Sequence, residues 1–381
     1  MGTGRKKSVW LSFLGGAAIG AAGATAGLLL ARSGLRLEPV RAALDALSAW
    51  DLLVLPVIAL LVIAVHEAGH LAGGMSRGMR FLLYVVGPFG WFGSAQGVHF
   101  RWCFNLGTLG GVAATMPDPR QPLAPQMMPV VLGGPLASLL LAAAGLALAS
   151  VLDARPAAYA LLTGGFSAAI FVMTALPFRA GGFMSDGMQW LVYRRGGVGL
   201  EKRARVTALM GMSMAGTRPR DLDEATLRLA QRQADGSEVL CDMGAWMYGY
   251  AHALDRGDPE GAGAWLQRMA EALPEYPDGF RQGIAIELAL FEALYRRRHA
   301  QALEWRRQAR GGIVDASRRH LADAAIAALE GDVPAATRAL DAATRKQGQA
   351  MDAGFARLGA DQAAMLRDRL AAAPVAVDAA A

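Results

Sequence analysis

Cysteine is almost missing from this chain: there are two among 381 residues, Cys103 and Cys241. They lie far apart and in different segments, which excludes a disulfide framework and a cysteine-based zinc cluster. Lysine is nearly as scarce, 4 residues against 34 arginines. That bias is typical of a GC-rich bacterial genome and hence points to a plasma or inner membrane. No basic run is interleaved with aromatics, so a nucleic-acid partner is not expected. The net charge of +6 is mostly arginine, which suits contact with anionic headgroups of a lipid bilayer. Charge itself is missing from long stretches of the first half, whereas the second half is charged and alanine-rich. The chain therefore reads as a membrane region followed by a soluble one.

About 20 apolar residues cross a bilayer core, and four stretches qualify. The first, Val9–Ala31, carries no charge and follows Arg5, Lys6 and Lys7. It is longer than the apolar run of a cleaved signal peptide, which favours a retained anchor. Its Gly16-x-x-x-Gly20 and Gly23-x-x-x-Gly27 spacings permit close helix contact. The second runs from Leu52 to about Gly73, the third over about Met127–Leu152 and the fourth over about Ala157–Phe178. Arg5, Lys6 and Lys7, then Arg77, Arg80, Arg101 and Arg120, then Arg179, Arg194, Arg195, Lys202, Arg203 and Arg205 all fall on one side if there are four spans. The positive-inside rule makes that side cytoplasmic. Between the second and third spans, Phe81–Gly111 is apolar but broken by glycine and proline, and it alternates at Val98-His99-Phe100-Arg101-Trp102. It is expected to form short strands or a hairpin at the membrane surface, because exposed backbone cannot lie in lipid.

The second span ends in His66-Glu67-Ala68-Gly69-His70. Ionisable groups inside a membrane helix are costly and mark function. H-E-x-x-H on a helix places two histidines on one face, where they can hold zinc, with the glutamate as general base. A catalytic zinc takes three protein ligands, so a third is required on the same side of the membrane. Asp186, in Gly181-Gly182-Phe183-Met184-Ser185-Asp186-Gly187, fits best: Pro177 and the glycine pair would break the fourth span and turn the chain back. Asp118 is a weaker choice on a polar loop, Asp153 belongs on the opposite face, and His99 reads as an interfacial histidine without a metal role.

With these residues in place, the chain resembles the site-2 protease family of intramembrane zinc metalloproteases over roughly 52–195. The resemblance rests on His66-Glu67-Ala68-Gly69-His70 in a membrane helix, Gly134-Pro135-Leu136-Ala137-Ser138 in the next span, and Leu176-Pro177 followed by Asp186-Gly187. It implies zinc bound by His66, His70 and Asp186, with Glu67 as general base. It also implies hydrolysis of a peptide bond in or near a transmembrane segment of another protein, in regulated proteolysis. The family commonly has asparagine where this chain has Thr174, and often where it has Ser138, and its gap from Pro177 to Asp186 is usually shorter. The rival readings are a catalytically inactive scaffold whose C-terminal half recruits partners, and a proton or metal transporter. Four spans with no evident repeat disfavour the transporter.

From about Gly199 apolar residues recur at helical spacing. Three connections look alike: Gly257–Ala262, Arg298–Ala302 and Gly331–Ala336. They are expected to join degenerate tetratricopeptide-like hairpins, whose stack offers a concave face to a peptide or protein partner, or else an ordinary bundle supporting the protease. His252, His299 and His320 share no ligand spacing. The whole is therefore expected to be a mostly α, polytopic inner-membrane protein. It would have about four transmembrane helices, a short membrane-associated β segment and a soluble, cytoplasmic C-terminal α-helical domain. Expected boundaries are an anchor and external loop at 1–51, the protease core at 52–195, the helical domain at 196–370 and a disordered tail at 371–381.

Overall fold

The structure is a computed structural model that describes residues 38–104, 110–180, 183–277 and 279–372. The expected first span and nearly all of the expected tail lie outside the described residues. Three of the described helices are long and apolar enough to cross a membrane: Ala49–Met75, Leu123–Ala149 and Ala154–Ala175. They coincide with the second, third and fourth expected spans. The third begins about four residues earlier than expected. The fourth stops at Ala175, because Leu176, ahead of Pro177, takes an extended conformation. The residue before a proline is disfavoured in the helical region.

The described residues form two compact units. One contains the chain up to Gly69 together with Gly134–Gln189, and the other His70–Gly133 with Trp190 onward. In the first, α1 (Glu38–Asp45) precedes a 3-10 turn (Ala49–Val54) and α2 (Leu55–Met75), which has Pro56 in its first turn. Proline is accommodated there because that N–H has no helical partner. Ser48 and Asp51 make a capping box, with Ser48 N–H donating to Asp51 Oδ2 at 2.5 Å. The Tyr159 hydroxyl donates to Asp51 Oδ1 and Arg155 Nε stands 3.6 Å from its Oδ2. These contacts tie the start of the second span to α4 (Ala154–Ala175), which follows α3 (Leu123–Ala149). Ala43, Ala157 and Ala158 form a small core where α1 meets α4.

In the second unit, β1 (Arg80–Val86), β2 (Phe89–Ser94), β3 (Gly97–Trp102) and β4 (Val112–Met116) form one antiparallel sheet in the order β3-β2-β1-β4. The predicted hairpin is thus part of a four-stranded sheet. Its alternation has a physical reading, since successive side chains face opposite ways. Leu83, Val85 and Phe92 are buried with Ile313 and Met351. Phe89, Trp91, Phe100 and Trp102 stand on the other face, at least 37% exposed. Arg101 donates from Nη1 to the Val314 carbonyl at 2.9 Å and lies over the Phe92 ring.

The remainder is helical. α5 (Asp186–Arg195) follows a two-stranded turn, β5 (Arg179–Ala180) with β6 (Phe183–Met184). Then come α6 (Val198–Met214), α7 (Glu224–Gln233), α8 (Val239–Asp255), α9 (Pro259–Ala272), α10 (Arg281–Leu294), α11 (His299–Gln308), α12 (Ala316–Glu330), α13 (Val333–Lys346) and α14 (Ala353–Ala372). Helices α8 with α9, α10 with α11 and α12 with α13 pack as consecutive pairs. The similar sequences at two connections have one cause. Asp258 and Asp332 each cap the next helix, accepting from Gly261 N–H at 2.8 Å and Ala335 N–H at 2.9 Å, which satisfies an orphan donor of the first turn. The third connection caps differently, since Arg298 makes no side-chain cap. A buried ion pair sits among these helices: Arg318 donates from Nε to Glu287 Oε1 at 2.7 Å and from Nη1 to Gln362 Oε1 at 2.5 Å.

Candidate metal centre

His66, Glu67 and His70 lie on α2, near the C-terminal end of an otherwise uncharged 21-residue helix. His66 and Glu67 are buried, at 6% and 8% exposure. The spacing of four puts both histidines on one face. Each histidine is also held at its second ring nitrogen. His66 Nδ1 is 2.9 Å from the Ser138 hydroxyl and His70 Nδ1 is 2.7 Å from the Val130 carbonyl. A carbonyl oxygen can only accept, so His70 donates from Nδ1 and the atom that would meet a metal is Nε2. The backbones come close enough for this because of Gly73, one turn beyond His70. A Cβ there would meet the Pro129 carbonyl oxygen at 2.1 Å.

Asp186 reaches the site by a tightly organised turn. After α4 ends, Ser185 ties the connection together. Its hydroxyl donates to the Leu176 carbonyl at 2.6 Å and accepts the Phe178 N–H at 3.0 Å. It also accepts the Met188 N–H at 3.2 Å, which makes it the cap of α5. Asp186 is therefore the first residue of α5 and is buried, at 8% exposure. Gly187 is needed beside it, since a Cβ would stand 1.9 Å from the Ala175 carbonyl oxygen.

The outcome is that one donor atom from each of His66, His70 and Asp186 lies within 4.8 Å of the other two. These are the three residues singled out in the sequence, and among the described residues they form the one group of His, Cys, Asp or Glu able to hold a metal ion. His66 Nε2 approaches Asp186 Oδ2 to 3.4 Å. Two ligands of a tetrahedral ion bound at about 2.0–2.1 Å stand roughly 3.3 Å apart, so this pair is already close to metal spacing. Two imidazoles braced at their second nitrogen and a carboxylate, with His66 and Asp186 buried and His70 half-buried, fit a divalent transition-metal ion. Two of the three weaker alternatives have other partners. Asp118 Oδ1 accepts the Arg120 N–H and Oδ2 the Gln121 amide. His99 Nε2 pairs with the Ser94 hydroxyl at 2.7 Å in the β2–β3 hairpin. Asp153 sits before α4 without a side-chain cap.

Most of these supports leave no mark in the sequence. Ser138 belongs to a quoted motif, but nothing in one dimension pairs it with His66. The Val130 carbonyl has no side-chain signature at all. Ser185 had a legible signal, a serine directly before a helix.

Comparison with known proteins adds one finding: a family model described as peptidase family M50 matches residues 55–359. This span extends through the helical half, beyond the 52–195 segment that carried the resemblance. No curated protein and no solved structure matches the chain.

Proposed function

This chain belongs to peptidase family M50, the site-2 protease family, and from that premise we propose that it is a zinc-dependent intramembrane endopeptidase. It would hydrolyse a peptide bond in or near a transmembrane segment of another membrane protein, in regulated proteolysis. The observation that carries the reading is the convergence of His66, His70 and Asp186 donors within 4.8 Å, beside a buried Glu67. His66, His70 and Asp186 would be the ligands. Bound zinc would supply Lewis-acid polarisation of the scissile carbonyl. Glu67 takes the proton of the attacking water and returns it to the leaving amine. Its burial keeps that transfer out of bulk water and strengthens its electrostatics. A substrate helix has its carbonyls already hydrogen-bonded, so it must unwind locally before one can be attacked.

The arginine distribution supports an inner-membrane location with the C-terminal helices in the cytoplasm. The paired helices α8–α13 support a degenerate tetratricopeptide-like array with a concave face for a peptide or protein partner.

The test is zinc content of the detergent-purified protein after metal reconstitution, wild type against Asp186→Ala. One zinc per chain, lost in the variant, is expected. Glu67→Gln should keep the zinc and lose cleavage of a membrane-protein substrate. A wild type that takes up no zinc overturns the reading in favour of a scaffold.

A further inference from the structure

The two histidines are braced by the same helix, α3, in chemically different ways. His70 is held by a backbone carbonyl, which no substitution of Val130 removes. His66 is held by a side chain, and that makes its support both dispensable in principle and testable. Ser138 is fully buried, at 0% exposure, and its hydroxyl lies 2.9 Å from His66 Nδ1. The opposite nitrogen, Nε2, faces Asp186 Oδ2 at 3.4 Å. One ring edge therefore looks at the serine and the other at the metal donors.

The Ser138 backbone also takes part in the contact between α3 and α4. The Ser167 hydroxyl on α4 donates to the Ser138 carbonyl at 2.7 Å, and Ser167 is likewise 0% exposed. Two turns along α3, a Cβ on Gly145 would meet Gly164 Cα at 2.7 Å. This close crossing of small residues sets how α3 and α4 pack. The Ser167 bond falls on the backbone and belongs to this helix packing, whereas the Ser138 hydroxyl is the group that reaches His66.

We propose that Ser138 is the positioning residue of the metal centre: its hydroxyl accepts the His66 Nδ1 proton and so presents the Nε2 lone pair to the ion. A ring without that partner can rotate and can place its proton on Nε2, where it blocks ligation. Outer-sphere partners of metal-bound histidines are worth about 10–100-fold in affinity. The reason is that the metal must otherwise select one tautomer and one rotamer from several. The hydroxyl does more here than it would in water, since Ser138 is fully buried and His66 nearly so.

The inference rests on the metalloprotease reading above, and the experiment separates the two. Zinc affinity of the full-length protein in detergent is titrated against a chromogenic chelator for wild type, Ser138→Ala, Ser138→Thr and Ser167→Ala. Melting temperatures of the metal-free forms are recorded alongside. Ser138→Ala is expected to weaken zinc binding by about 10–100-fold, and Ser138→Thr, which keeps a hydroxyl, to recover most of it. Ser167→Ala removes a hydroxyl from the same helix contact without touching His66. It should lower the melting temperature and leave affinity within about threefold. Should the threonine variant fail to fold, ¹⁵N spectra of the histidine rings report the same point. Wild type should show His66 protonated at Nδ1, and Ser138→Ala a mixture of tautomers. Wild-type affinity in Ser138→Ala overturns this inference alone, as does an equal loss in Ser138→Ala and Ser167→Ala, which would mark a packing effect. A wild type that binds no zinc overturns both this inference and the function proposed above.

Discussion

Gly187→Ala offers a sharp test of how Asp186 is placed. The added Cβ would stand 1.9 Å from the Ala175 carbonyl oxygen, 2.7 Å from the Ala175 carbonyl carbon and 3.0 Å from that of Leu176. All three are backbone atoms at the end of a membrane helix and cannot rotate away. An ordinary carbon–oxygen contact is about 3.3 Å, so the start of α5 must retreat by roughly 1.4 Å. Asp186 precedes Gly187 directly and retreats with it, whereas metal–ligand distances hold to within about 0.2 Å. Overpacking of this kind costs about 1–3 kcal/mol. If that strain falls wholly on metal binding, zinc affinity drops roughly 5- to 140-fold, at about 1.4 kcal/mol per factor of ten. If it falls on the fold, the metal-free protein melts earlier instead. Competition of the purified variant with a chromogenic chelator, beside a melting curve of the metal-free form, reads both. Zinc affinity within twofold of wild type together with unchanged melting would refute the reasoning, because the contact would then not constrain Asp186.

Three further outcomes are expected. Gly73→Ala should also weaken zinc binding, by prising His70 from the Val130 carbonyl, since its Cβ would meet the Pro129 oxygen at 2.1 Å. The same titration checks it, and an unaltered affinity would sink the role given to that close approach. Arg318→Met strands the buried Glu287 carboxylate and should cost about 3–5 kcal/mol of stability. The double variant with Glu287→Gln should recover much of it, and a denaturant titration that finds the single variant within 1 kcal/mol of wild type speaks against a buried ion pair. Burial pushes the Cys241 thiol up to about 12, so at pH 8 only about one thiol in 10⁴ is ionised in the folded state. Native protein should resist alkylation at Cys241, with a Cys241→Ser control. Because the folded state holds this proton more tightly, the thiol's contribution to stability should fall as pH rises above the unfolded value of about 8.5.

Much of the metal centre was legible in one dimension because its chemistry is local or bounded by topology. His66 and His70 are a turn apart on a helix whose apolar length announces a membrane span, so their shared face follows from helical periodicity alone. Asp186 could be picked from three aspartates because Asp153 belongs on the opposite face of the membrane and Asp118 on a polar loop, whereas Pro177 and the glycine pair turn the chain back towards the histidines. The alternation around Val98–Trp102 likewise marked strands, since period two is a property of the backbone. The same sequence left the sheet incomplete: β4 lies beyond the segment that alternates, and its pairing with β1 is a long-range hydrogen-bonded register that no local pattern encodes.

What the sequence by itself determined, then, is the set of candidate ligands and the apolar lengths that carry them, because residue type, helical spacing and hydropathy are written in single segments. Only the tertiary structure decided what braces those side chains. Ser138 meets His66 across 72 residues, and Val130 meets His70 across 60. Gly187 and Gly73 matter through backbone atoms they do not adjoin in the chain. Such contacts depend on how helices cross, and the crossing is set by the summed packing of small residues such as Gly145, Gly164 and Ser167 rather than by any one of them.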